Sequence, residues 1–412
     1  MLLKPRKNLI AILDIGSSKI AALLSRMYDG GISVIGCVCK PSQGVKNGII
    51  VDIRKAVAAM ALAIEELENV CSENIESVYI SIAGCGLSSR NLSFEILNGN
   101  NEIGDREIKT IIDKGYESIK EDERLSALHC LPIEYVLDGT PGIVNPYGMY
   151  GSCLAVKLHM VTANKPPLIN VASCLNRCHL TPAGYIATPY ANGFACISND
   201  DKNLGAILID IGGGTTSIGI YKDNNLTHTE TLPIGGINIT KDIACAFSLS
   251  INVAEKIKIL YGSLYPVSDY SEIIEYDDIN ETTQAEDLNP ISKFDLCDVI
   301  SARVDEIISM VSNKLLRVPS GLHIFRKIVL TGGVSKTEGL REKFAKKFNT
   351  TVIRGKQDML HYSDLDVTDP SFSAIIGSVL LLNNYFYDKN SPQTSKIVQN
   401  KGNFVKWIQK HF

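Results

Sequence analysis

Two aspartates in this chain each end a run of β-forming residues and open a turn of glycines and hydroxyl residues. The first stretch is Asp14-Ile-Gly-Ser-Ser-Lys19, after Leu9-Ile-Ala-Ile-Leu13; the second is Asp210-Ile-Gly-Gly-Gly-Thr-Thr-Ser217, after Ala206-Ile-Leu-Ile209. Glycine lets the backbone approach a ligand without a Cβ, so such turns can bring N–H groups and small hydroxyls to a phosphate. A carboxylate at the strand end can hold hydrated Mg²⁺, which keeps waters and takes its other ligands from phosphate oxygens. Two copies of one pattern predict two related domains around one nucleotide. A third element, Lys327-Ile-Val-Leu-Thr-Gly-Gly-Val334 followed by Glu338-Gly-Leu340, reads as strand, turn and helix start. Thr-Gly-Gly alone is an ordinary turn; about 120 residues after the second aspartate loop, it reads as a glycine surface with free N–H groups for a nucleoside or phosphate at the same site.

The elements that position these loops follow from periodicity. Leu9–Leu13, Ile20–Ser25 and Ile32–Val38 read as three strands, with Asp29-Gly-Gly31 as a turn. A helix is expected over Ile53–Asn69 and a strand over Val78–Ala83. The same order returns as strands Gly205–Asp210, Ser217–Tyr221 and His228–Pro233, then a helix from Thr240. Between them, Asp105–Lys120 reads as a helix capped by its aspartate, Leu131–Leu137 and Leu154–Val161 as strands, Gly139–Gly151 as a connection, and Leu168–Leu180 as a helix. The expected organisation is therefore a first domain of 1–84, 163–204 and 371–387, carrying an inserted α+β subdomain at 85–162. The second domain is 205–370, with 241–304 as its smaller subdomain, and 388–412 forms a linker and terminal helix.

The 412 residues carry 41 Lys+Arg against 45 Asp+Glu, a net charge of −4 that gives no reason to expect non-specific nucleic-acid binding. Eleven cysteines show no C-x-x-C spacing, and Cys130, Cys174 and Cys245 fall in apolar sequence, so they read as reduced thiols. The N-terminal apolar run merges into the first aspartate loop, unlike a signal peptide, and no stretch approaches the ~18 apolar residues of a membrane span. Ala374–Leu382 reads as a buried helix. Residues 259–292 hold eight acidic residues and no Lys, Arg or His; they read as a solvated acidic loop, with docking of a basic segment as the other reading.

Asp388–Asn403 has linker composition. Beyond it, Phe404, Val405, Trp407, Ile408 and Phe412 share one face of a helix, with Lys406, Gln409 and Lys410 opposite. Aromatic residues on one side and lysines on the other suit an anionic lipid headgroup region. One short helix binds weakly, so firm attachment calls for many copies joined in a polymer.

The three glycine-rich elements resemble the actin-like ATPase superfamily of actin, heat-shock chaperones and sugar kinases. The resemblance implies an α/β fold of duplicated actin-like, ribonuclease-H-like domains around an ATP and Mg²⁺ cleft. It places Asp14, Gly16, Ser17, Ser18 and Lys19 on the phosphates, with Gly212, Gly213, Gly214, Thr215 and Thr216 opposite. Asp14 and Asp210 would orient magnesium waters, and Gly332, Gly333 and Val334 would line the adenosine pocket. Glu255 and Lys258 match the Glu-x-x-Lys pair beside adenine and ribose. The insertion falls after Ser77-Val-Tyr-Ile-Ser-Ile-Ala-Gly84 rather than after the third strand. In this, and in Gln43–Gly48, His228–Gly236, Thr240–Phe247 and Ala254–Lys258, the chain resembles the FtsA family of bacterial cell-division proteins.

That family resemblance implies a filament on the cytoplasmic face of the inner membrane at the septum. It implies anchoring of the FtsZ C-terminal tail, with Arg303 and Glu306 on the partner helix, and recruitment of later division proteins. The chaperones carry a glutamate where this chain has Ala187-Thr188-Pro189, so slow hydrolysis at most is expected and no catalytic residue is assigned. A pilus-assembly ATPase or a small-molecule kinase of the same fold are the alternative functions. A kinase, however, needs a general base and a substrate pocket, for which no residues stand out.

Overall fold

A computed structural model describes residues 8–28, 31–265, 272–274, 290–318, 325–356 and 368–387. The first sheet begins with β1 (Leu9–Ile15), β2 (Lys19–Tyr28) and β3 (Gly31–Pro41), which pair antiparallel in sequence order. A short hairpin, β4 (Val45–Lys46) and β5 (Ile49–Ile50), leads to helix α1 (Ile53–Cys71) and strand β6 (Ser77–Ile82). The Asp52 carboxylate caps α1 by accepting the Lys55 N–H at 3.1 Å. Ala56, Ala59, Met60, Ala63, Ile64 and Leu67, spaced at helical period, bury one face of α1.

The insertion follows as β7 (Ser88–Glu102), α2 (Asp105–Lys120), β8 (Leu125–Leu137), β9 (Thr140–Ile143) and β10 (Tyr150–Asn164). Its core packs Ile111, Ile112 and Ile119 of α2 against Leu154, Val156 and Leu158 of β10. Two details differ from the sequence reading. Asp105 is the first residue of α2 rather than its cap; the cap is Gly104, whose N–H donates to Glu107 Oε2 at 3.0 Å. The expected connection after Gly139 contains β9, an edge strand paired with β8.

The chain returns through α3 (Lys165–Arg177), β11 (Thr181–Ala187), α4 (Thr188–Cys196) and α5 (Asn199–Leu204). The half that follows holds β12 (Ala206–Ile211), β13 (Thr216–Lys222), β14 (Asn225–Leu232), α6 (Gly236–Ala246), α7 (Ile251–Tyr261), α8 (Lys293–Leu315), β15 (Lys327–Thr331), α9 (Leu340–Phe348) and β16 (Thr351–Arg354). Helix α10 (Ser373–Tyr387) then packs back on the first sheet, burying Ile375, Ile376, Val379 and Leu382 against Ile10, Ile12 and Leu23. None of the helices among the described residues is long and apolar enough to cross a membrane.

Strand order reveals the duplication directly. The first sheet runs β11-β6-β1-β2-β3, and the second opens β16-β15-β12-β13-β14, with matching parallel and antiparallel neighbours. The second sheet then continues into the insertion, β7-β10-β8-β9, through a single residue pair, Glu230 with Ser88. Side chains reinforce that seam: Ser89 Oγ donates to the Thr229 carbonyl at 3.0 Å and accepts its N–H at 2.8 Å.

Helix α6 begins at Gly236, four residues before the expected Thr240. Its first N–H groups are taken by the second aspartate loop, Gly236 donating to the Gly212 carbonyl at 2.9 Å and Ile237 to that of Gly213 at 2.7 Å. Cys245 lies off the buried stripe of α6 and is exposed, contrary to its apolar sequence context, whereas Cys130 and Cys174 are buried.

Candidate functional site

Each aspartate loop is closed by the same bond. The Gly16 N–H donates to the Lys19 carbonyl at 3.0 Å, and the Gly212 N–H to that of Thr215 at 2.9 Å. The loops meet across the cleft: a Cβ on Gly213 would stand 2.8 Å from Ser18 Oγ, and one on Gly214 2.5 Å from Ser17 Oγ. Only glycine permits that approach. Ser17 Oγ also accepts the Gly48 N–H at 2.9 Å, so the β4–β5 hairpin steadies the first loop.

Between the loops lies a cavity of ≈ 320 Å³, lined by Asp14, Gly16, Ser17, Ser18, Lys19, Asp210, Gly212, Gly213, Gly214 and Thr215. Glu255, Lys258, Gly332, Gly333 and Val334 line it as well. Thr216 does not. Its side chain is fully buried and donates to the Ile234 carbonyl at 2.8 Å, because successive strand residues point to opposite faces and Thr215 takes the cleft side.

At one end of the cavity, Lys258 Nζ bonds Glu255 Oε2 at 2.6 Å and Thr240 Oγ1 at 2.8 Å, forming a polar clamp between α6 and α7. Ile237, Ile239 and Ile259 supply apolar wall nearby, as a flat base requires. A further wall comes from Pro370, Ser371, Ser373 and Ala374, with Lys336 beside it. Sequence reading had not placed these residues at the site, although Asp369-Pro-Ser ahead of an apolar helix carries a readable cap pattern: the Asp369 carboxylate accepts the Ser371 N–H at 2.8 Å. Lys19 Nζ donates to Ser371 Oγ at 2.7 Å.

Burial pushes both carboxyls up to about 6. For Asp14, Lys19 and a hydrogen bond from Ser81 oppose the rise; for Asp210, a hydrogen bond from Asn192 opposes it and the Asp14 charge adds to it. Burial likewise pulls the Lys19 ammonium below its ordinary range. No cluster of three or more His, Cys, Asp or Glu among the described residues could hold a metal unaided. Two desolvated carboxylates beside phosphate-sized loops fit instead a cation that retains its waters and takes oxygens from a phosphate. Across from Asp14, the Ser81 hydroxyl lies 3.3 Å from Thr188 Oγ1 and supplies no base.

Arg303 and Glu306 sit apart from the cavity on α8. The Arg303 guanidinium grips Asp242 of α6, Nη2 to Oδ1 at 2.8 Å, and pairs with Glu306. Phe404, Val405, Lys406, Trp407, Ile408, Lys410 and Phe412 lie outside the described residues, as does most of the acidic 259–292 segment.

The family model described as "Cell division protein FtsA" matches residues 207–377, and that described as "SHS2 domain inserted in FTSA" matches residues 84–162. The cell division protein FtsA of Rhizobium meliloti is 31% identical over 388 residues, covering 91% of this chain and 87% of the relative. Among solved structures, the PilM-PilN type IV pilus biogenesis complex superposes with a TM-score of 0.67 at 15% identity, covering 92% of this chain and 99% of that one. MreB 5 of Spiroplasma citri bound to AMPPNP gives 0.52 at 13% identity, covering 91% and 96%. At such identities the structural likeness establishes the actin-like fold alone.

Proposed function

Since the chain belongs to the FtsA family of cell-division proteins, we propose that it binds ATP with Mg²⁺ in the cleft and polymerises on the cytoplasmic face of the inner membrane. There it anchors the FtsZ ring at the septum and recruits later division proteins. The observation that carries the nucleotide reading is the repeated unit around the cavity: an aspartate at a strand end, a turn closed by the same backbone bond, and a hydroxyl on the parallel neighbour. The phosphates would sit between the loops, with Asp14 and Asp210 holding the waters of the cation. When bound, the cation would neutralise phosphate charge and fix the nucleotide's reach between the two halves. Glu255 and Lys258 would meet the ribose and base.

Turnover is slow on this reading, since Thr188 stands where the water-positioning carboxylate of the chaperones would be. Nucleotide then serves to set the closure of the two halves and the contacts between neighbouring subunits. The helix carrying Arg303 and Glu306 would take the FtsZ tail, and residues 404–412 would enter the headgroup region. A pilus-assembly role is the alternative that the same fold allows.

Co-sedimentation with vesicles containing anionic lipid, in the presence of Mg·ATP, tests the reading. The full chain should pellet with the vesicles and a chain lacking 402–412 should not. Equal pelleting of both would overturn the anchoring role.

A further inference from the structure

The two halves of the cleft share one pattern and depart from it at one donor. Asp14 lies opposite Ser81 in the parallel β1–β6 register, and the Ser81 hydroxyl opposes the burial-driven rise of its pKa. Asp210 lies opposite Thr331 in the matching β12–β15 register. Duplication would give Asp210 the Thr331 hydroxyl, but that group is engaged elsewhere: Thr331 Oγ1 bonds the Pro370 carbonyl at 3.2 Å and Ser373 Oγ at 2.8 Å. Asp210 receives its donor from α4 instead, where Asn192 Nδ2 donates to Asp210 Oδ2 at 2.8 Å.

Both partners are withdrawn from solvent, Asn192 at 0% exposed and Asp210 at 8%. On its other side, Asp210 Oδ1 lies over Gly332, where φ is +82° and a Cβ would overlap the oxygen. Asn192 and Gly332 therefore fix the carboxylate plane from both edges. The second oxygen of the pair tells the rest: Asn192 Oδ1 is buried and has no hydrogen-bond partner among the described residues. Buried acceptors of this kind are nearly always satisfied, by protein or by an ordered water.

We propose that Asn192 is a positioning residue for the cation that accompanies the nucleotide, acting from behind the cleft wall: its Nδ2–H fixes Asp210 Oδ2, and its buried Oδ1 accepts from an ordered water. The inference rests on the ATP and Mg²⁺ reading given above. A neutral carboxamide suits the place. It supplies the donor that Thr331 cannot, and it offers an acceptor without adding a third negative charge beside Asp14 and Asp210.

Calorimetric titration of ATP in excess magnesium and in EDTA tests this, using the wild type, Asn192→Ala, Asp210→Ala and the double variant. Asn192→Ala should lose about tenfold of the magnesium-dependent gain in affinity, the scale of one hydrogen bond to a charged group, and leave the EDTA affinity unchanged. The double variant should be no weaker than Asp210→Ala, since Asn192 acts through that carboxylate. An equal loss in EDTA, or an unchanged magnesium gain, would overturn the role of Asn192 while the nucleotide reading stands. Absence of any magnesium-dependent gain in the wild type would overturn both. A second measurement needs no variant: Mn²⁺·ATP should broaden the Asn192 side-chain amide resonance in the labelled wild-type protein, and an unbroadened signal would count against the proposal.

Discussion

Lys19 lays its ammonium 3.5 Å from the centroid of the Phe372 ring while donating to Ser371 Oγ at 2.7 Å. The first aspartate loop is thereby tied to the segment that leads into α10. A cation over an aromatic face is worth ~0.5–2 kcal/mol, more as water is removed.

Phosphate would compete for that ammonium. Lys19→Met should weaken ATP binding by roughly 10- to 100-fold, the value of a charge-assisted contact. Phe372→Leu should cost the unliganded protein about 1 kcal/mol and leave ATP affinity within a few-fold. Calorimetry and thermal denaturation separate the two. Equal loss of ATP affinity in both variants would show that Phe372 orders the site rather than merely holding the lysine.

Burial raises the Asp210 carboxyl from 3.8 to about 6, so the folded protein retains a proton that the unfolded chain releases across that window. The associated stability is present below about pH 4 and lost as pH rises through about 6, up to about 3 kcal/mol by pH 7. Asp210→Asn should therefore stabilise the nucleotide-free protein at pH 7, with the advantage fading towards pH 4, and should abolish magnesium-dependent ATP binding. Melting temperatures across that range provide the check. A stability difference independent of pH would contradict the burial argument.

Thr188 borders the cavity, and on the proposed reading it stands in the place of a water-positioning carboxylate. Thr188→Glu should raise phosphate release by about a hundredfold, the low end of what a positioned base contributes. An unchanged rate in a folded, ATP-binding variant would place the limit elsewhere in the cycle.

Trp407→Glu puts a charge among the apolar residues of the 404–412 segment and, on the proposed reading, should abolish vesicle binding while sparing ATP affinity. Loss of ATP binding in that variant would overturn the anchoring role of this segment.

The loops were legible because their chemistry is local: an aspartate after a β-run, then glycines and hydroxyls, leaves few conformations open. The helix start at Gly236 was not, since Gly-Gly reads as a turn until the carbonyls of Gly212 and Gly213 arrive to accept its first N–H groups. Thr215 and Thr216 look equivalent in sequence, and only strand alternation assigns one to the cleft. Asn192 carried no signal at all. It sits in a short helix 18 residues before Asp210, and its meaning depends on where the Thr331 hydroxyl points.

The seam between Ser89 and Thr229 has a mechanical consequence. The insertion springs from the first half of the chain yet is stitched to the edge strand of the second. The halves are thus joined at the α4 crossing, at the return of α10 onto the first sheet, and again at this stitch. Any movement of the second half must therefore carry the insertion with it or first break the stitch.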